Sequence, residues 1–247
     1  MKRLQISLSL IAMAVMLWSC GSNSKTVETS DAQEVASTED ATSISVNAAN
    51  SVVTWIGSKP AGKHNGTIGI AGGEVLVSNG KVVGGSFDID INSLVVLDLP
   101  ADSEWNGKLK GHLLSADFFD AANFGSAQFE ITGAAPYAQA NVTADKEEFN
   151  TEYAPATLSE VMVENPTHFI SGNLTMRGVT KNITFPASVS VENGVIKAKA
   201  NFNIDRTEWK LMYQDEASVA DKAKDKFIYN TVNVGFELEA GTGSAAM

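Results

Sequence analysis

The sequence predicts an all-β protein, a closed antiparallel up-and-down barrel of eight or nine strands, on three observations. Apolar residues recur at every second position in Val75 and Val77, in Phe87, Ile89 and Ile91, in Phe129 and Ile131, in Leu174 and Met176, and in Ile183 and Phe185; the same holds from Ile196 to Ile204 and from Val232 to Leu238. Such alternation marks strands with one buried face. Turn signals stand between the runs, Ser78-Asn79-Gly80, Glu164-Asn165-Pro166 and Glu192-Asn193-Gly194, and Asn-Gly pairs suit two-residue hairpins. No strand-helix-strand rhythm intervenes, so the strands close as a barrel or stack as a sandwich, and length favours the barrel.

The N-terminus reads as a targeting signal. Met1-Lys2-Arg3 precedes an apolar run from Leu4 to Trp18, too short to span a bilayer comfortably and ordered like the charged and apolar regions of a signal peptide. It ends in Leu17-Trp18-Ser19-Cys20, which resembles a lipobox, except that Trp18 stands where a small residue is usual. Residues 1–20 are therefore expected to be a lipoprotein signal, with Cys20 as the lipidation site and the membrane anchor. Residues 21–43 are polar and lack aromatics, so a flexible tether is expected there. No acidic run directly follows Cys20, which favours a lipid-anchored place in the cell envelope, on the outer membrane facing the periplasm.

Two stretches break the alternation, Asp102 to Asn123 and Gln214 to Lys226, and each is expected to hold a short helix at a barrel mouth. A membrane-spanning barrel alternates too. Here, however, the polar parity carries Asp88, Asp90, Glu130, Lys197, Lys199, Glu237 and Glu239, the pattern of an apolar interior inside a charged exterior. Lys and Arg number 18 against 29 Asp and Glu, a net charge of -11. That repels phosphate backbones, and nucleic acid is not expected as a partner. Cys20 is the single cysteine, so no internal disulfide forms and the fold stands on its core.

Candidate chemistry is sparse. His64, His112 and His168 are the only histidines and lack the spacing or companions of a metal site, so no metal is expected. The cysteine is used by the anchor, no Gly-x-Ser-x-Gly elbow occurs, and Asp88 and Asp90 on an exterior face read as solvated charge. The protein is expected not to be an enzyme. Two head-group candidates remain. His112 precedes Asp117 and Asp120, which are equally suited to capping and closing a helical turn. Arg177, with Lys181, flanks a turn and can meet an anionic or hydroxyl head group or a surface acid. The many interior aromatics, Trp209 among them, exceed what a tightly filled small barrel needs; an eight-stranded barrel can nevertheless be filled or hold one small ligand, and the residues leave both open.

Several phrases carry a family resemblance: Thr54-Trp55-Ile56-Gly57-Ser58-Lys59, Gly62-Lys63-His64-Asn65-Gly66, Gly85-Ser86-Phe87-Asp88-Ile89-Asp90, Gly111-His112-Leu113-Leu114-Ser115-Ala116-Asp117-Phe118-Phe119-Asp120, Gly172-Asn173-Leu174-Thr175-Met176-Arg177-Gly178-Val179-Thr180-Lys181 and Phe202-Asn203-Ile204-Asp205-Arg206-Thr207. In this order and spacing they resemble the YceI-like family over residues 44–240, leaving 241–247 as a tail. The resemblance implies a lipocalin-like barrel of eight strands with a helical insertion, exported to the periplasm, whose cavity binds polyisoprenoid chains, including quinone-like ones, and no other cofactor. Two departures stand out: Phe124-Gly125 replaces the family's aromatic-Pro, and Asn141 to Val163 is longer than the usual connection, so that a loop or an extra strand is expected there. The candidate cavity lining is Trp55, Phe87, Ile89, Phe118, Phe119 and Phe129, with Met176, Phe185, Phe202, Ile204 and Phe236. The expected function is a membrane-tethered periplasmic binder of an isoprenoid or similar amphiphile; the alternative is a filled-barrel stress or partner-binding lipoprotein without a lipid. A homodimer through barrel edges is left open.

Overall fold

The computed structural model describes residues 26–35, 40–138, 151–218 and 227–241. Cys20, the start of the tether and most of the tail lie outside them. In chain order the elements are β1 (Thr29–Ser30), β2 (Thr42–Ser45), β3 (Val52–Lys59), β4 (Gly62–Ser78), β5 (Lys81–Val96), α1 (Glu104–Leu114), β6 (Ser126–Pro136), α2 (Leu158–Val161), β7 (His168–Met176), β8 (Val179–Glu192), β9 (Val195–Asp205) and β10 (Thr231–Ala240). β3 to β10 pair antiparallel with their sequence neighbours, and β10 pairs back onto β3 from Glu237 opposite Val52 to Asn233 opposite Ile56. That last pairing closes an eight-stranded barrel.

The tight turns follow from residues that tolerate positive φ. Asn79-Gly80 (φ 51° and 73°) and Asn193-Gly194 (φ 51° and 77°) make the hairpins at the lower end. The upper end carries the β3–β4 turn, the long β5–β6 connection with α1, the turn at Arg177-Gly178 and the β9–β10 connection. Ser103 caps α1 by accepting a hydrogen bond from the Asn106 N–H at 3.1 Å. Asn106, buried, donates to the carbonyls of Val96 and Leu99 at 3.1 and 3.0 Å, which fixes the helix over the upper end.

Three expectations need correction. The tether is docked over its described part: Val27 is buried, Thr29 and Ser30 pair with Ile183 and Asn182, and the Val27 N–H donates to the Asn203 carbonyl at 2.8 Å. The reason lies in the sheet. β8 and β9 pair only between Ala187 opposite Ala200 and Glu192 opposite Val195, so their upper halves diverge and expose backbone polar groups that the N-terminal segment satisfies. Gln33 extends the contact, its N–H donating to Asn173 Oδ1 at 2.9 Å while Asn173 Nδ2 donates to the Gln33 carbonyl at 2.8 Å. Second, residues 214–218 of the expected second helix are turn and irregular backbone, and 219–226 lie outside the described residues. Third, the long excursion carries a one-turn helix, α2, where Thr157 and Glu160 form a capping box; residues 139–150 lie outside the described residues.

Candidate ligand-binding cavity

The barrel interior divides into two halves. Phe87, Phe129, Phe185, Phe202 and Phe236 form a middle layer, with ring centroids 5.5 Å apart for Phe87 and Phe129, 5.6 Å for Phe129 and Phe185, and 4.1 Å for the stacked pair Phe185 and Phe202. Below it Val75, Ile131, Ile170, Ile196 and Leu238 are buried in the apolar core and do not line the cavity above. Above it lies a cavity of about 220 Å³, far larger than the packing voids of a filled core. Its wall continues through Trp55, Ile89, Met176, Ile183 and Ile204, and α1 with its following loop closes over it through Leu109, Leu113, Phe118 and Phe119. All eleven residues expected to line a cavity do so.

Two glycines keep this space open. A Cβ on Gly172 would fall 2.2 Å from Phe129 Cζ, and one on Gly66 would fall 1.8 Å from the Val95 carbonyl oxygen and 2.6 Å from Trp55 Cζ2. Each large ring therefore lies flat on a bare stretch of backbone instead of filling the barrel axis. The Trp55 indole N–H is buried and has no hydrogen-bond partner among the described residues.

Neither head-group candidate lines the cavity. His112 stands outside it between Phe118 and Tyr213, at centroid distances of 5.0 and 4.6 Å, with Nε2 3.0 Å from Asp117 Oδ2. Arg177, at φ 50° in its turn, donates from Nη1 to the Lys210 carbonyl at 2.5 Å and from Nη2 to the Ala116 carbonyl at 2.7 Å. It ties two upper loops together. Lys181 meets a surface acid, Glu208, at 3.6 Å, and Asp88 accepts from Gln128 Nε2 at 3.1 Å.

Of the charged side chains that line the cavity, Lys59 and Arg206, Arg206 is the buried one, 3 % exposed. Its Nε donates to the Tyr229 carbonyl at 3.1 Å, Nη1 to the Leu211 carbonyl, and Nη2 to those of Tyr213 and Ile228 at 3.0 Å each. Burial lowers its pKa, opposed by the charges of Asp215, Asp205 and Glu216, and it remains a cation. The sequence signal for it was its place in the last family phrase. Lys59 and His64 stand at the rim; His64 Nδ1 lies 2.7 Å from Asp98 Oδ2, and the Asn65 N–H donates to Asp98 Oδ1 at 2.9 Å. Partial burial works to raise the Asp98 pKa, but these two partners hold it below the ordinary carboxylate value. Among the described residues no three His, Cys, Asp or Glu side chains are grouped to hold a metal ion.

An eight-stranded antiparallel barrel with a capped apolar chamber in its upper half is a lipocalin-like barrel. The chain belongs to the YceI family: the model of the YceI-like domain matches residues 44–240. Its fold is similar to that of Burkholderia cenocepacia BcnA, at a TM-score of 0.54 and 16% identity, covering 79% of this chain and 99% of that one. A polyisoprenoid binding domain from Saccharophagus degradans implicated in plant cell wall breakdown matches at 0.49 and 16%, over 81% and 98% of the two chains. A Campylobacter jejuni YCEI protein matches at 0.41 and 16%, over 99% and 91%. No curated protein matches the chain.

Proposed function

We propose that the protein is a lipid carrier of the cell envelope, anchored at the outer membrane through Cys20 and facing the periplasm, which holds one isoprenoid or similar amphiphile in the upper barrel and catalyses nothing. The observation that carries this reading is the apolar cavity of about 220 Å³ above the phenylalanine layer. A barrel that only docked partners would have no need to hold Trp55 and Phe129 against glycines, so the open chamber favours a ligand over the filled-barrel alternative. The chemistry fits: burying a prenyl chain yields roughly 0.8 kcal/mol per carbon group, so on the order of twenty carbons exceeds the ~4 to 15 kcal/mol cost of association.

The test is mass spectrometry of organic extracts from protein exported with an ordinary cleavable signal in place of residues 1–20 and purified without detergent. A stoichiometric prenyl lipid is the expected result. An empty barrel that also fails to take up added prenyl alcohol would overturn the reading.

A further inference from the structure

The upper end of the barrel differs from the rest of the surface in two independent ways. Among the described residues seven large hydrophobic side chains are exposed, and five of them, Val95, Leu97, Trp105, Phe124 and Met212, belong to the upper end. Trp105 is 70% and Leu97 60% exposed, and Lys108 Nζ sits 4.9 Å above the Trp105 ring. The cations also gather here. Of the eleven described Lys and Arg residues only Lys81, Lys197 and Lys199 lie toward the lower end, and Lys197 and Lys199 are paired with Glu239 and Glu237. At the upper end Lys59, Lys63, Lys110 and Lys210 form no ion pair with a described residue. Carboxylates such as Asp98, Asp102, Glu104 and Asp117 stand among these cations, Glu104 paired with Lys108 at 2.7 Å, in a chain of net charge -11.

We propose that the upper end is a bilayer-docking face, with Trp105 and Leu97 inserted at the lipid–water interface and the neighbouring lysines against lipid phosphates. An exposed Trp beside a Lys that can extend its ammonium toward water is interfacial chemistry, and with eight of the eleven described Lys and Arg residues here, this is the end that an anionic membrane surface repels least. The helix supplies the route. Trp105, Leu109 and Leu113 follow one another at four-residue spacing on one face of α1, and Leu109 and Leu113 line the cavity. An apolar stripe thus leads from the docked surface into the chamber. The docking stands on this geometry; its purpose, loading from a membrane, rests on the carrier reading.

Two measurements test it on the full-length lipoprotein reconstituted in vesicles of phosphatidylethanolamine and phosphatidylglycerol. Brominated acyl chains are expected to quench tryptophan fluorescence, and Trp105→Phe is expected to remove most of that quenching. Quenching unchanged in Trp105→Phe would overturn docking; since Trp55 lines the cavity, it would instead report a lipid chain inside the barrel. Transfer of a fluorescent prenyl alcohol to acceptor vesicles is expected to speed up with vesicle concentration. In the Leu97→Ser, Trp105→Ser double variant it is expected to fall about tenfold and lose that dependence, while the amount of prenyl alcohol bound at equilibrium from vesicle-free solution is unchanged, since neither residue lines the cavity. A wild-type rate independent of vesicle concentration would overturn the proposal and leave the patch to a protein partner, whereas failure to load at all would strike the carrier reading and leave the quenching result to decide docking.

Discussion

Phe129 and Gly172 act as one unit across neighbouring strands: Phe129 is paired with Leu174, and its ring lies against the wall because Gly172, two residues along on the partner strand, has no side chain. Gly172→Ala places a Cβ 2.2 Å from Phe129 Cζ, so the ring must rotate into the chamber. The expected result is a loss of about 1–3 kcal/mol in chemical denaturation together with reduced uptake of prenyl alcohol; normal uptake would show that the ring escapes elsewhere. At the rim, Asp98 has its carboxyl pKa held down by Asn65 and His64. A lowered folded-state pKa stabilises above the unfolded value, about 4, and the gain disappears as pH falls through the lower folded value. Asp98→Asn should therefore melt below wild type at neutral pH, with the gap closing as pH falls below the ordinary carboxylate range of about 4; a gap that stays constant as the medium is acidified would refute the linkage. The nine cavity residues that stand on strands were legible because period-two parity assigns a face, whereas Phe118 and Phe119, in the loop after α1, were legible only through the family phrase that holds them. The head-group residues were not, because His112 and Arg177 sit on a helix and a turn where no parity applies, and Arg206 follows β9 in a 3₁₀ turn (Arg206–Trp209).

Among the elements, β5 shows where such reading stops. Its inward series Phe87, Ile89, Ile91 resumes at Leu94 and Val96, one residue out of step. The cause is a bulge: Thr67 faces Val95 while Gly69 faces Asp90. Asn92 N–H and Ser93 Oγ donate to Asp90 Oδ1 and to the Asp90 carbonyl at 3.0 and 2.6 Å. Leu94, fully buried and lining the cavity, is invisible to simple alternation for that reason. The N-terminal segment escaped for another. Composition asks whether a segment can bury a core of its own, whereas this one completes an existing sheet where β8 and β9 part. Val27→Asp puts a charge against the core and is expected to cost about 2 kcal/mol or more. It should also speed amide hydrogen exchange in the upper halves of β8 and β9. Unchanged exchange there would mean that the segment merely rests on the wall.

For the whole molecule, the balance that matters is between two apolar solvents, the barrel and the bilayer. From water, each added carbon group favours the chamber by about 0.8 kcal/mol, so affinity measured in water should climb with prenyl length. Against membrane the same carbon gains about as much in the acyl region as in the cavity, and the increments cancel. The partition between protein and vesicles is therefore expected to stay nearly flat with chain length while the chain still fits above the phenylalanine layer. The lower half is filled, so that layer is a floor. Isoprene units beyond the room of about 220 Å³ must displace Phe185 and Phe202 or leave through the mouth, and the partition should then turn toward the bilayer. Measuring the distribution of prenyl alcohols of increasing length between protein and vesicles locates the break. Enlarging the floor with Phe202→Ala should move it to longer chains, at a stability cost of about 3–5 kcal/mol; a smaller Phe202→Leu change should shift it in the same direction. A partition that rises steadily with length and has no break would mean that the barrel stretches around its cargo and that the phenylalanine layer sets no limit.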